Sequence, residues 1–153
     1  MFENAHIIDS YSRNQAIEDG FLCEVNSKIA GEAGFRWPLA LTNALYQALA
    51  LEDDSAPGQS YDGRLWDVLS MARFAIQRRK GADDTLRFKV GMIHHVTAYR
   101  AIRHHAKGYG GCQRPSVVDR HHRQHYMVLR LVCGPDDTGA PCITIGFDQG
   151  DEW

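Results

Sequence analysis

No stretch of this chain is long and apolar enough to cross a bilayer. The longest run without a charged residue, Trp37 to Leu51, has 15 residues and includes Thr42, Asn43 and Gln47. A spanning helix needs about 20 apolar residues. The opening Met1-Phe-Glu-Asn-Ala-His6 has no basic start and no apolar run of the signal-peptide kind. Cysteine is scarce and unpatterned. Cys23, Cys112, Cys133 and Cys142 form no Cys-x-x-Cys pair, so a zinc ribbon and a thioredoxin motif are excluded. Cys23, Cys133 and Cys142 sit among apolar or β-prone neighbours, where a free thiol packs as a small hydrophobe. A cytoplasmic protein with reduced thiols is expected. A charge excess of one sign is also missing. Lys and Arg total 17 against 19 Asp and Glu, a net charge of -2, which excludes a uniformly basic nucleic-acid binder.

Catalytic signatures are absent too. The chain holds no Gly-x-Ser-x-Gly elbow, no phosphate-binding loop and no His-Glu-x-x-His. Gly108-Tyr-Gly-Gly-Cys-Gln113 approaches a dinucleotide fingerprint but has Gln113 where the third glycine belongs. No residue pattern identifies a reaction, and neither a cofactor nor a membrane partner is expected.

What is present is an ordinary foldable composition. The 153 residues are 44% hydrophobic and 24% charged, enough for one domain spanning 1–153 with a buried core. There is no internal repeat. Tyr11 to Gly20 reads as a short helix capped by Ser12 and ended at Gly20. Phe21 to Val25 reads as a short extended piece. Asn26 or Ser27 starts a second helix ending near Gly34. Pro38 suits the first turn of a third helix running to about Glu52, with Leu41, Ala44, Leu45, Ala48 and Leu49 on one face. A fourth helix, about Gly63 to Arg79, has a stripe of Leu65, Leu69, Ala72 and Ile76, widened by Trp66, Met71 and Phe74. Alternation then replaces the helical period: Leu86 to Met92, Met127 to Cys133, and Ile143 to Phe147 read as strands. Gly134 to Pro141 is a turn between the last two. The expected fold is α+β, with an N-terminal layer of about four helices on an antiparallel sheet of about three strands.

Four ordered segments carry a resemblance: Tyr11-Ser-Arg to Asp19-Gly20; Ala33-Gly-Phe-Arg-Trp-Pro38; Arg64-Leu-Trp-Asp-Val-Leu to Met71-Ala-Arg73; and Cys133-Gly-Pro-Asp-Asp to Ile143-Thr-Ile145. Together they resemble an uncharacterised family of small proteins of bacterial plasmids, phages and other mobile elements. The resemblance covers about residues 9–80 and 126–148. It implies a mobile-element setting: interference with host defence, plasmid maintenance or nucleic-acid handling.

The segment His94 to His125 is least like that family, and it is the most unusual. It holds 7 of the 8 histidines, six basic residues and one acid, Asp119, for a formal charge of +5. The remainder of the chain is at -7. It reads as an insertion-like stretch within the domain. Its side chains could bind polyanion, with arginines on phosphates and Tyr99, Tyr109 and Tyr126 on bases. They could bind a metal, with His121 and His125 sharing a helical face and Cys112 or His104 joining them. Or the stretch is a solvated loop, or a surface for another protein.

Other residues have structural readings beside functional ones. Tyr11, Arg13 and Asp19 read as a capped helix more than a recognition cluster. Trp66 and Trp37 read as packed side chains more than partner contacts. Glu52, Asp53 and Asp54 read as a solvated loop.

These features favour a non-enzymatic binding protein of a mobile element, an inhibitor of a host defence complex of anti-CRISPR type acting by surface occlusion. The partner is then a host defence protein or ribonucleoprotein. The expected contact residues are Arg100, Arg103, Lys107, Arg114, Arg120, His121, Arg123 and His125. The alternatives are a direct binder of RNA or DNA through the same segment, and a metal-dependent enzyme.

Overall fold

The computed structural model describes residues 11–50, 59–105 and 116–148. The chain order is α1 (Arg13–Glu18), β1 (Leu22–Glu24), α2 (Ser27–Glu32), β2 (Leu39–Thr42), α3 (Asn43–Leu49), α4 (Tyr61–Arg78), β3 (Thr85–His95), α5 (Val96–His105), β4 (Ser116–Val117), β5 (His122–Pro135) and β6 (Pro141–Phe147). The fold is mixed α+β. One sheet runs β1-β2-β6-β5-β3, with the two-residue β4 beside β5. The sheet therefore exceeds the three strands expected. Helices and strands also alternate along the chain, so there is no separate N-terminal helical layer.

The main correction lies at residues 38–52. Leu39-Ala-Leu-Thr42 is a strand rather than the start of a helix. It pairs parallel to β6, with Leu39 opposite Ile143 and Leu41 opposite Ile145. Leu39 and Leu41 alternate into the core while Ala40 is buried on the other face. A short run that is apolar on both faces satisfies either period, and the partner strand lies about 100 residues away. The helix begins only at Asn43, with the Thr42 hydroxyl accepting from the Leu45 amide at 3.5 Å.

Local signals hold elsewhere. Ser12 and Gln15 form a capping box on α1, and Asn26 caps α2. The Tyr11 hydroxyl donates to Asp19 at 2.5 Å, and Arg13 donates to Thr144 and to the Ile143 carbonyl at 2.7 and 3.0 Å. Those three motif residues thus anchor α1. Gly34 takes φ +91, and Arg73 of α4 donates to its carbonyl. A Cβ there would run into the guanidinium.

In α4, Ser60 caps the N-terminus, and Leu65, Val68, Leu69 and Ala72 are buried against the sheet. Each such side chain contributes about 1.5–3 kcal/mol of apolar burial. Trp66, Met71 and Phe74 do not widen that stripe. They are 44%, 38% and 49% exposed. At 100° per residue, Phe74 stands opposite Leu65 on the helix. Trp37 is also exposed, at 47%. Cys23 and Cys133 are half-buried free thiols and Cys142 is buried. Burial pushes the Cys142 thiol up. Glu52, Asp53, Asp54 and Cys112 lie outside the described residues.

Candidate functional site at the end of the β3–β5 ribbon

The longest pairing in the molecule is the antiparallel ribbon of β3 and β5, in register from Thr85 opposite Val132 to His95 opposite His122. Side chains alternate across it, so neighbouring histidines face opposite ways. The inner face, under α4 and α5, receives Phe88, Val90, Met92 and His94 of β3. β5 contributes His125, Met127, Leu129 and Leu131 to the same face. The outer face carries Arg87, Lys89, Gly91 and His95, opposite Arg130, Val128, Tyr126 and His122. α5 follows β3 without a loop. The Val96 amide donates to the His121 carbonyl at 2.7 Å, and Tyr99 and Ile102 are buried. Both described ends of the histidine-rich segment are thus built into the sheet. The turn 118–121 leads into a strand, so His121 and His125 do not share a helical face.

On the inner face His94 is fully buried. Its Nε2 lies 2.9 Å from the Ala48 carbonyl and its Nδ1 2.7 Å from Nε2 of His125. A carbonyl only accepts, so Nε2 of His94 carries the proton and donates. In the neutral imidazole its Nδ1 then accepts from Nε2–H of His125. The edge of Tyr99 closes on His125 at 5.0 Å between ring centres. Arg64 completes this polar layer by donating to the Leu49 carbonyl at 3.4 Å and the Ile93 carbonyl at 2.9 Å. The last carbonyls of α3 have no partner within their own helix. His94 and Arg64 supply those partners from two other elements.

On the outer face, His95 stacks on exposed His121 with 6.0 Å between ring centres and 6° between planes, and meets His122 edge-on at 5.7 Å. The Asp119 carboxylate accepts from the His121 amide, the His122 amide and His122 Nδ1 at 2.7–2.9 Å. The backbone bond from His121, then the side-chain bond from His122, hold the Asp119 carboxyl below the usual carboxylate range. The other ring nitrogen, Nε2 of His122, is buried and has no hydrogen-bond partner among the described residues. It is not open to a substrate from solvent.

The expected contact residues that the structure describes differ in their exposure. Arg100 is exposed on α5, and Arg120 and His121 are exposed in the turn before β5. Arg123 is half-buried and donates to the Asp119 and His122 carbonyls at 2.8 and 2.9 Å. His125 is buried against His94 and Tyr99, so it is withdrawn from the surface. Arg103 lies in α5. Lys107 and Arg114 lie outside the described residues. Among the described residues no group of three His, Cys, Asp or Glu is placed to hold a metal ion, and no helix is long and apolar enough to cross a membrane.

The sequence reading missed the outer-face residues Arg87 and Lys89. Their alternation with Phe88 and Val90 was visible, but not that they share a face with Tyr126. The chain matches no family model, no curated protein and no solved structure.

Proposed function

We propose that the protein works by binding another protein, in the mobile-element setting that its sequence resembles. There it occupies a surface of a host defence complex in the cytoplasm and blocks it, in the manner of an anti-CRISPR inhibitor. The observation that supports this reading is the outward face of α4. Trp66, Met71 and Phe74 are all exposed there. Trp66 and Phe74 stand about 12 Å apart along the axis. Burying such side chains only in a complex is how a few residues come to dominate an interface, and Trp and Met are enriched in interface cores.

The test is affinity purification from a host carrying candidate defence systems, followed by mass spectrometry. A defence component is expected to copurify with the wild-type chain and to be lost with Trp66→Ala and Phe74→Ala together. Hot-spot truncations of this kind cost about 2 kcal/mol or more, roughly 30-fold in affinity. Recovery of the chain alone, with no inhibition of any host system, refutes the reading.

A further inference from the structure

Tyr126 is the exposed aromatic of the β3–β5 ribbon, with 54% of its surface open. It faces Gly91 across the ladder, and a Cβ on Gly91 would lie 3.4 Å from Cε1 of its ring. The Cδ1–Cε1 edge of the ring therefore lies over the bare glycine, and about half of the residue's surface stays open to solvent. Lys89 is two residues from Gly91 on the same face and Arg87 two further. Same-face positions on a strand repeat about every 7 Å.

The outer face of these two strands holds Arg87, Lys89 and Arg130 and no carboxylate of its own. Two carboxylates reach it, Asp148 from beyond β6 and Asp119 at the His122 end. Asp148 is buried and lies 3.0 Å from Nε of Arg87, whose side chain stays 68% exposed. Lys89 is exposed and takes part in no ion pair among the described residues. At the far end of the same face stands the His95–His121 stack, and exposed Arg120 lies in the turn just before His121.

We propose that this outer face is a platform for single-stranded nucleic acid. Tyr126 stacks a base, Lys89 and Arg87 take phosphates on one side of it, and Arg120 takes the strand where it leaves the ribbon. A flat ring between cations suits a chain that carries both π faces and regular negative charge, which an acidic peptide does not. A duplex hides its base faces in its own stack, so it offers Tyr126 nothing. Charged residues on the edge strand β3 also deter pairing with another sheet. That role needs no ring and no nucleic acid, and the variants below separate the two. The proposal is independent of the α4 surface.

The experiment is fluorescence anisotropy with labelled dT and U oligomers of about 20 nucleotides and a duplex of matched length, from about 50 to about 200 mM salt. The expected result is binding of single strands in preference to duplex, weakening steeply with salt. Tyr126→Ala should weaken binding about 10-fold or more, and Tyr126→Trp should restore it, because stacking needs only a π face. Lys89→Glu should weaken binding and lower the salt slope by about one phosphate contact. Lys28→Glu, the same charge change on exposed α2, should do neither. Circular dichroism checks that each variant is folded. Equal duplex affinity, no binding at low salt, or folded Tyr126→Ala and Lys89→Glu proteins that bind like wild type would overturn the proposal. The dT and U arms separate DNA from RNA. Loss of a copurifying partner on Trp66→Ala and Phe74→Ala reads the α4 surface separately.

Discussion

The two faces of the β3–β5 ribbon carry the same residue type in opposite conditions. On the inner face, His94 and His125 are buried, with their facing nitrogens 2.7 Å apart and a helix carbonyl beyond. On the outer face, His95 and His121 touch mainly through their rings, and His121 is open to solvent. Histidine thus serves as a structural hydrogen-bond relay on one face and as surface chemistry on the other. The period of two decides which, since one residue of offset turns a side chain through the sheet.

The sharpest way to break this comparison is His94→Ala. It leaves the Ala48 carbonyl and His125 Nε2 without their partner in a buried layer and opens a cavity. Urea denaturation should show a loss of about 2–4 kcal/mol. A cost no larger than that of His121→Ala would mean that the inner relay is not structural. Tyr126→Ala should cost less, about 0.2–1 kcal/mol, because only a cross-strand packing contact is lost from an exposed position. Its larger effect is expected on nucleic-acid affinity.

Asp119→Asn sharpens the contrast through pH. The folded carboxyl sits below its unfolded value of about 4, so its stabilisation is complete above that value and is lost as pH falls below it. Wild-type urea midpoints should therefore fall more steeply below about pH 4 than those of Asp119→Asn. Parallel curves would show that the His121 and His122 contacts to Asp119 add nothing to stability. The smallest change is expected for His121→Ala, within about 0.5 kcal/mol by the same urea measurement, as for exposed side chains in general.

Much of the fold was legible where the deciding interactions are local. Ser12 and Asn26 cap their own helices, and Gly20 and Gly34 take positive φ just after them. Alternation located the three long strands, although β3 and β5 extend further into the histidine-rich segment than periodicity indicated. The outward half of α4 was illegible for a different reason. Trp66 and Phe74 are as apolar as core residues, and only the position of the sheet shows that they point away from it. The site was less legible still. Its positive charge and histidine content were plain, but His125 was grouped with Arg120 and Arg123 although it faces the core.

By itself the sequence determined the period of each segment, the caps that end its helices and a two-signed charge layout, because these depend on residues a few positions apart. Tertiary structure alone decided that Leu39 to Thr42 is a strand, since pairing with β1 on one side and with distant β6 on the other satisfies its backbone. It also decided which histidines are sealed and which are open, because burial depends on what packs over each: α4 and α5 cover the face of His94 and His125, while His122 is buried on the other face beside Asp119. The described residues of the +5 segment therefore do not share a single surface. They lie on both sides of a sheet, and the exposed cations nearest its open face include two, Arg87 and Lys89, that lie outside the segment in the chain.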